Sequence, residues 1–177
     1  MTLPFQRALI TGASAGIGEE FVHQLSRAGI PCVLVARRGD RLEQLAQKYS
    51  TCEVLVADLL TAEGIARVAQ RLASPLLPVD LLVNNAGFGT KGKLANRPER
   101  EQLGMLDLHV QAAMRLTYAA LPGMIQRTQG RIIVVASVAS FTASPGNVNY
   151  CATKAYERVM CEALAMELEG TGVTVQA

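Results

Sequence analysis

The sequence predicts an α/β fold, a doubly wound parallel sheet with helices on both faces. Two observations carry this. Short apolar runs alternate with stretches of helical periodicity along the chain, and the runs are nearly continuous in Val, Leu and Ile. Strands buried on both faces read that way, whereas half-exposed strands alternate apolar with polar residues. Strand following helix in this order requires right-handed crossovers, and so parallel strands.

Six runs are predicted as strands: 7–11 (RALIT), 30–36 (IPCVLVA), 51–57 (TCEVLVA), 79–84 (VDLLVN), 131–137 (RIIVVAS) and 172–177 (GVTVQA). Helical spacing places Phe21, Leu25 and Ala28 on one face of the first intervening helix. Leu42, Leu45 and Ala46 share a face of the second, and Ile65, Val68, Ala69 and Leu72 a face of the third. Further helical stretches cover 98–127 and 149–168. The chain reads as one domain, 1–177. Its last run stops at Ala177 with no helix to cover it, so the expectation is a domain truncated at its C-terminus.

Half of the residues are apolar and 18% are charged, which supports a packed core and argues against disorder. The net charge is +2, and the densest basic cluster is only Arg37, Arg38 and Arg41, so nucleic acid is not an expected partner. No apolar run is long enough to span a membrane, and the N-terminus lacks the shape of a signal peptide, so a cytoplasmic setting is expected. Cys32, Cys52, Cys151 and Cys161 form no C-x-x-C pair and lie far from both histidines, so no metal site is expected. Cys32 and Cys52 sit in apolar runs and read as small core residues.

After the first strand comes TGASAGIG, in which Gly12, Gly16 and Gly18 precede a helix. Gly12 permits a tight turn, Gly16 lets backbone N–H groups approach a pyrophosphate, and Gly18 lets the helix pack against the strand. The helix N-terminus offers unpaired donors and partial positive charge. Ser14 can add a hydroxyl, and Ile17 lies within the same stretch. The candidate pyrophosphate cradle is therefore Gly12, Ser14, Gly16, Ile17 and Gly18. The second strand ends at Ala36, where a dinucleotide site selective for NAD places a carboxylate against the ribose 2′-hydroxyl. Arg37 and Arg38 follow instead, and guanidinium groups grip phosphate, so NADP(H) is favoured over NAD(H). If both arginines are merely solvated, the preference stays open.

Tyr150 and Lys154 stand four apart in a helical stretch, hence on one face. A free phenol, with a pKa of about 10, is a poor base near neutrality, and a nearby ammonium favours the phenolate. Tyr150 can then serve as general acid in reduction or base in oxidation. Ser137, thirteen residues earlier at the end of the fifth run, can hold the substrate oxygen beside it.

The G-x-x-x-G-x-G spacing, the NNAG tetrapeptide at 84–87, Ser137 and the Y-x-x-x-K pair together resemble the short-chain dehydrogenase/reductase family, in its single-domain branch with a Rossmann sheet. The resemblance implies that Ser137, Tyr150 and Lys154 form the active site and that Lys154 also bonds the nicotinamide ribose. It implies that Asp58, with Leu59 beside it, meets the adenine amino group, although a helix-capping role for Asp58 is a rival. Asn85, Ala86 and Gly87 are expected to pass close to the adenosine ribose. Many members hold a relaying water with a helix Asn, and here His109 stands in the matching place, so its ring either bonds that water or slows the relay. Position 15 is Ala, so the second basic residue of some NADP(H) members is missing.

The resemblance further implies a seventh strand and a substrate-covering loop that this sequence lacks. It also implies pairing of the later helices into a homodimer or homotetramer, for which Met105, Leu108, Ala112, Met160, Leu164 and Leu168 offer apolar surface. The expected function is hydride transfer between NADP(H) and a small-molecule alcohol or carbonyl substrate. Phe88, Leu94, Phe141 and Val148 point to an apolar or bulky substrate. The competing expectation is a dinucleotide-binding or interaction protein that keeps the fold without turnover, and a non-redox member such as an epimerase or dehydratase stands third.

Overall fold

In the computed structural model, which describes residues 5–177, six strands form one parallel sheet in the order β3-β2-β1-β4-β5-β6. They are β1 (Ala8–Thr11), β2 (Cys32–Ala36), β3 (Glu53–Val56), β4 (Leu81–Asn84), β5 (Gly130–Val134) and β6 (Val173–Gln176). The helices are α1 (Gly16–Arg27), α2 (Gly39–Lys48), α3 (Ala62–Ala73), α4 (Glu99–Leu106), α5 (Ala113–Gln126) and α6 (Val148–Glu167). A π-helical turn, Asp107–Ala112, joins α4 to α5. The chain winds outward from β1 through β2 to β3, then returns to lay β4 against the other side of β1. At that reversal the neighbouring loops diverge and a crevice opens at the carboxyl ends of the strands.

Alternate strand residues serve opposite faces. Leu9, Val33, Val35 and Leu82 pack with Val68 of α3, Leu116 of α5 and Cys161 of α6. Ala8, Ile10, Cys32, Leu34 and Val83 pack with Val22 and Leu25 of α1 and Leu42 and Leu45 of α2. Both faces of the central strands are thus covered, which explains their unbroken apolar sequence. A one-residue slip would exchange the two faces but bury an equal number of apolar groups, so the registers rest on the fit of these side chains and the loops. β6 reads differently: Val173 and Val175 are buried, while Thr174 and Gln176 are exposed.

The structure amends several expectations. β5 ends at Val134 and not at Ser137, because Ala136 N–H turns back onto the Val134 carbonyl (2.9 Å). The buried face of α1 is Gly18, Val22 and Leu25, and Ala28 lies beyond the helix on the surface. Gly29, at φ +80°, ends α1 there, and Ile30 N–H returns to the Leu25 carbonyl (3.0 Å). The apolar residues expected to be surplus on the later helices are not surplus. Met105, Ala112 and Leu168 are buried, and Leu108, Met160 and Leu164 pack against the chain's own core. Different residues carry exposed apolar surface, namely Leu103, Leu106, Met114, Tyr118, Val159 and Met166. Among the described residues, no helix is long and apolar enough to cross a membrane.

Candidate active site

Thr11, the last residue of β1, organises the switch point. Its hydroxyl oxygen accepts from Asn85 N–H (2.9 Å) and Ala86 N–H (3.0 Å) and donates to the Val83 carbonyl (3.3 Å). Asn85 Nδ2 donates back to the Thr11 carbonyl (2.9 Å). Asn85 thereby ties the loop after β4 to the glycine loop after β1. Both nearby glycines are required by this closeness. A Cβ on Gly12, at φ +67°, would stand 2.7 Å from Asn85 Nδ2, and one on Gly18 would meet the same atom at 2.5 Å. Gly16, at φ +60°, has open space around it. Asn84 Nδ2 reaches the Ala113 carbonyl (3.3 Å) and Thr117 Oγ1 (3.1 Å), which anchors α5 to β4.

A cleft of about 800 Å³ lies over this junction. Gly12, Ser14, Ala15 and Ile17 line it from the glycine loop, and Asn85, Ala86 and Gly87 from the loop after β4. Tyr150, Lys154 and His109 line the same cleft. Gly16, Gly18 and Ser137 do not line it, although Val135 and Ala136 do. Ser137 accepts Ala139 N–H on its own Oγ (3.1 Å) and caps the short 3-10 turn Val138–Phe141. Ala15 stands at the N-terminus of α1 and no side chain caps that helix, so its first-turn donors are left for an anion.

Arg37, Arg38, Asp58 and Leu59 line the same cleft from the loops after β2 and β3. The two arginines differ. Arg38 donates to Ser14 Oγ through Nε (3.2 Å) and Nη2 (2.9 Å), clamping the glycine loop, and Ser14 acts as acceptor in that contact. Arg37 is exposed, and it also lines an adjoining recess with Asp58 and Arg67. Asp58 does not cap α3. One of its carboxylate oxygens accepts Leu60 N–H (3.0 Å), while Thr61 caps the helix by accepting Gly64 N–H (3.0 Å). A hydroxyl placed three residues before Gly64 does the capping better than the carboxylate six before it.

Tyr150 and Lys154 rise from the first turns of α6. Lys154 is buried, with Nζ 5.9 Å from the centre of the Tyr150 ring. Its ammonium donates to the Val135 carbonyl (2.9 Å) and pairs with Glu157 Oε2 (2.8 Å). Burial pushes the Glu157 carboxyl up from its ordinary value, and Lys154 opposes that push. His109 has no exposed surface. Its Nε2 accepts Phe88 N–H (3.1 Å) and its Nδ1 meets Thr153 Oγ1 (2.9 Å). Both ring nitrogens are therefore engaged within the chain.

Sequence reasoning did not single out Glu157, Thr153 or Gly89. Glu157 had a signal, an acidic residue three after Lys154 on the inward face of α6. Thr153 and Gly89 had none, since their partners are distant in sequence: a Cβ on Gly89 would stand 3.3 Å from the Tyr150 ring.

Fold and cleft define the class, a nicotinamide-dependent oxidoreductase of the doubly wound kind. The sequence matches the short chain dehydrogenase family over residues 6–177. It is 33% identical over 169 residues to an uncharacterized oxidoreductase of Staphylococcus epidermidis, spanning 95% of this chain and 74% of that one. The fold matches a short-chain dehydrogenase from Sphingobium yanoikuyae in complex with NADPH, with a TM-score of 0.90, 33% identity, and coverage of 94% of this chain and 67% of that one. It also matches the bulky-bulky ketone specific alcohol dehydrogenase of Comamonas testosteroni, with a TM-score of 0.89, 32% identity, and coverage of 98% and 70%. The chain belongs to the short-chain dehydrogenases, oxidoreductases acting on CH–OH groups with a nicotinamide cofactor.

The buried imidazole has a consequence for acid stability. Burial first, and then the charge of Lys154, lowers the His109 pKa from 6.5 to about 4. Between those values the unfolded chain binds a proton that the folded chain refuses. This contribution is complete above about pH 6.5 and is lost as pH falls toward 4, amounting to about 3 kcal/mol over the full shift. Glu157, with its raised carboxyl, titrates with the opposite sign. Denaturant unfolding of wild type and His109→Gln across this range isolates the imidazole. The difference in stability should change in the variant's favour on acidification, and parallel curves would place the acid sensitivity elsewhere.

Proposed function

We propose that residues 1–177 form one dinucleotide-binding and catalytic domain that transfers hydride between NADP(H) and an alcohol or ketone, with Tyr150 as general acid and base. The observation that carries this reading is that Tyr150 and Lys154 line the same cleft as the glycine loop. The cradle fits a pyrophosphate: α1 is uncapped, and the space around Gly16 is open. When bound, the cofactor supplies or accepts the hydride at its nicotinamide ring.

The remaining work belongs to this chain. In reduction the Tyr150 hydroxyl donates its proton to the carbonyl oxygen, and in oxidation it takes that proton back. Lys154 holds positive charge beside the phenol and reaches toward the ribose, with Glu157 and the Val135 carbonyl fixing its ammonium. Ser137 follows Ala136 at the cleft wall and bonds the substrate oxygen through its hydroxyl hydrogen, since its oxygen already accepts from Ala139. Phe88 forms part of the apolar wall. Asp58 and the residues at 85–87 bound the adenosine.

Preference for the 2′-phosphate rests on Arg37, the arginine not tied to Ser14, and on the lack of a carboxylate at Ala36. The Sphingobium relative is an NADPH complex, which supports the same assignment here. Arg37→Ala should weaken NADPH binding by about 1.5–3 kcal/mol and leave NADH nearly unchanged. Fluorescence titration of both cofactors tests this, and equal affinities in the wild type would end the assignment.

Tyr150→Phe removes one oxygen and should lower turnover by about 10²–10⁴ while cofactor affinity stays near wild type. Lys154→Met should lower both rate and affinity, and it strands the Glu157 carboxyl in a buried site, so its folding is checked by thermal unfolding. Near-normal turnover of a ketone panel by Tyr150→Phe would favour a protein that binds the dinucleotide without chemistry.

The same reading includes a homo-oligomer. Leu103 and Leu106 on α4, Met114 and Tyr118 on α5, and Val159 and Met166 on α6 are exposed on neighbouring helices. Light scattering should give a dimer or tetramer, and Tyr118→Asp with Met166→Asp should yield monomer; a monomeric wild type would remove this part.

A further inference from the structure

We propose that His109 is a positioning residue that fastens the loop after β4 to the helix bearing Tyr150 and takes no part in proton transfer. The inference rests on the reading of Tyr150 as the proton-transfer group, and it derives from the direction of three successive hydrogen bonds.

The Phe88 backbone N–H can only donate, so His109 Nε2, 3.1 Å away, must present its lone pair. In the neutral ring the hydrogen then sits on Nδ1 and points at Thr153 Oγ1, 2.9 Å away. With one lone pair used in this way, the Thr153 hydroxyl donates its own hydrogen to the Tyr150 carbonyl at 3.0 Å. Each link determines the next, and the chain runs from the loop to the backbone of Tyr150 itself. Neither a lone pair in the ring plane nor a proton is left over. A protonated imidazole would face one donor with another at Phe88, so the network holds only with a neutral ring.

The packing repeats the constraint. A Cβ on Gly87 would lie 2.9 Å from His109 Nε2, and one on Gly89 would lie 3.3 Å from the Tyr150 ring. The loop backbone therefore lies flush against both rings, on either side of the peptide that His109 holds. The His109 and Tyr150 rings meet edge to face with centroids 5.9 Å apart. His109 occupies the π-helical turn between α4 and α5, an irregularity frequent at functional sites. The turn brings the imidazole inward with no exposed surface.

A phenol that must meet a carbonyl oxygen at hydrogen-bond distance is sensitive to small displacements, and about 1 Å can cost about 10²-fold in rate. The imidazole sets that placement through Thr153 and through the loop that walls the cleft. It replaces a proton-carrying role with a mechanical one.

The test combines spectroscopy with a variant series in the NADPH-dependent reduction of an aryl ketone. Nitrogen NMR of labelled wild-type protein should show His109 as the Nδ1–H tautomer, unchanged from pH 5.5 to 9. An Nε2–H tautomer overturns the proposal, and this readout does not depend on turnover, so it stands even if Tyr150 proves not to be the acid. His109→Phe keeps ring volume but removes both hydrogen bonds. It should lower kcat by about 10- to 100-fold with NADPH affinity little changed. His109→Gln can again accept from Phe88 and should recover most of that loss. The pH midpoint of turnover should be the same in all three proteins. A shifted midpoint that Gln fails to restore would assign His109 to proton transfer, and an unchanged kcat in folded His109→Phe would leave it a packing residue. Either result overturns the proposal. If His109→Phe fails to fold, the tautomer and His109→Gln decide.

Discussion

The hydroxyl of Thr11 is the point on which the candidate site depends. It lies at the end of β1, where the winding of the sheet reverses, and it takes two N–H groups from the loop after β4. Parallel strands deliver their loops to one edge, but they do not by themselves hold two divergent loops together. Thr11 and Asn85 do so, although they stand 74 positions apart in the chain. The glycines at 12 and 18 are needed as much for this joint as for any ligand, because Asn85 fills the space a side chain would take. The glycine-rich loop is therefore also a loop that accepts a strut.

Charge in the site is arranged around a buried lysine on the wall of the cleft. Lys154 is buried and gives its hydrogens to a carboxylate and a backbone carbonyl. A buried ammonium without such partners would cost several kcal/mol. Glu157 makes the burial tolerable and also restrains the side chain on one side of the helix. The same helix presents Tyr150 one turn earlier, and Thr153 between them is committed to His109. Two networks, one ionic and one neutral, thus converge on a single turn of α6.

Much of this was visible in the sequence. The continuous apolar runs identified buried parallel strands, since both faces of β1, β2 and β4 are covered. The spacing of Gly12, Gly16 and Gly18 marked the turn from β1 into α1, and Tyr150 with Lys154 marked one helical face. Errors fell at element ends and at surfaces. Ser137 was assigned to a strand that ends at Val134, because two further apolar residues, Val135 and Ala136, hide a turn made by backbone hydrogen bonds. Asp58 was weighed as a helix cap, but Thr61, nearer the helix, takes that place. Met105, Ala112 and Leu168 were read as surplus apolar surface, whereas the chain's own packing buries them. Periodicity reports that a residue is apolar on a face; it does not report how much partner surface that face meets.

The sequence by itself determined the order of strands and helices, the location of the glycine loop and the pairing of Tyr150 with Lys154. Each of these depends on residues within a few positions of one another, where helix and strand periods act directly. Only the tertiary structure decided that Arg38, and not Arg37, grips Ser14, and that His109 spends both nitrogens on Phe88 and Thr153. Those contacts join residues between 21 and 44 positions apart. No local period encodes such a meeting, because it exists only once the sheet has wound and brought its loops to a common edge.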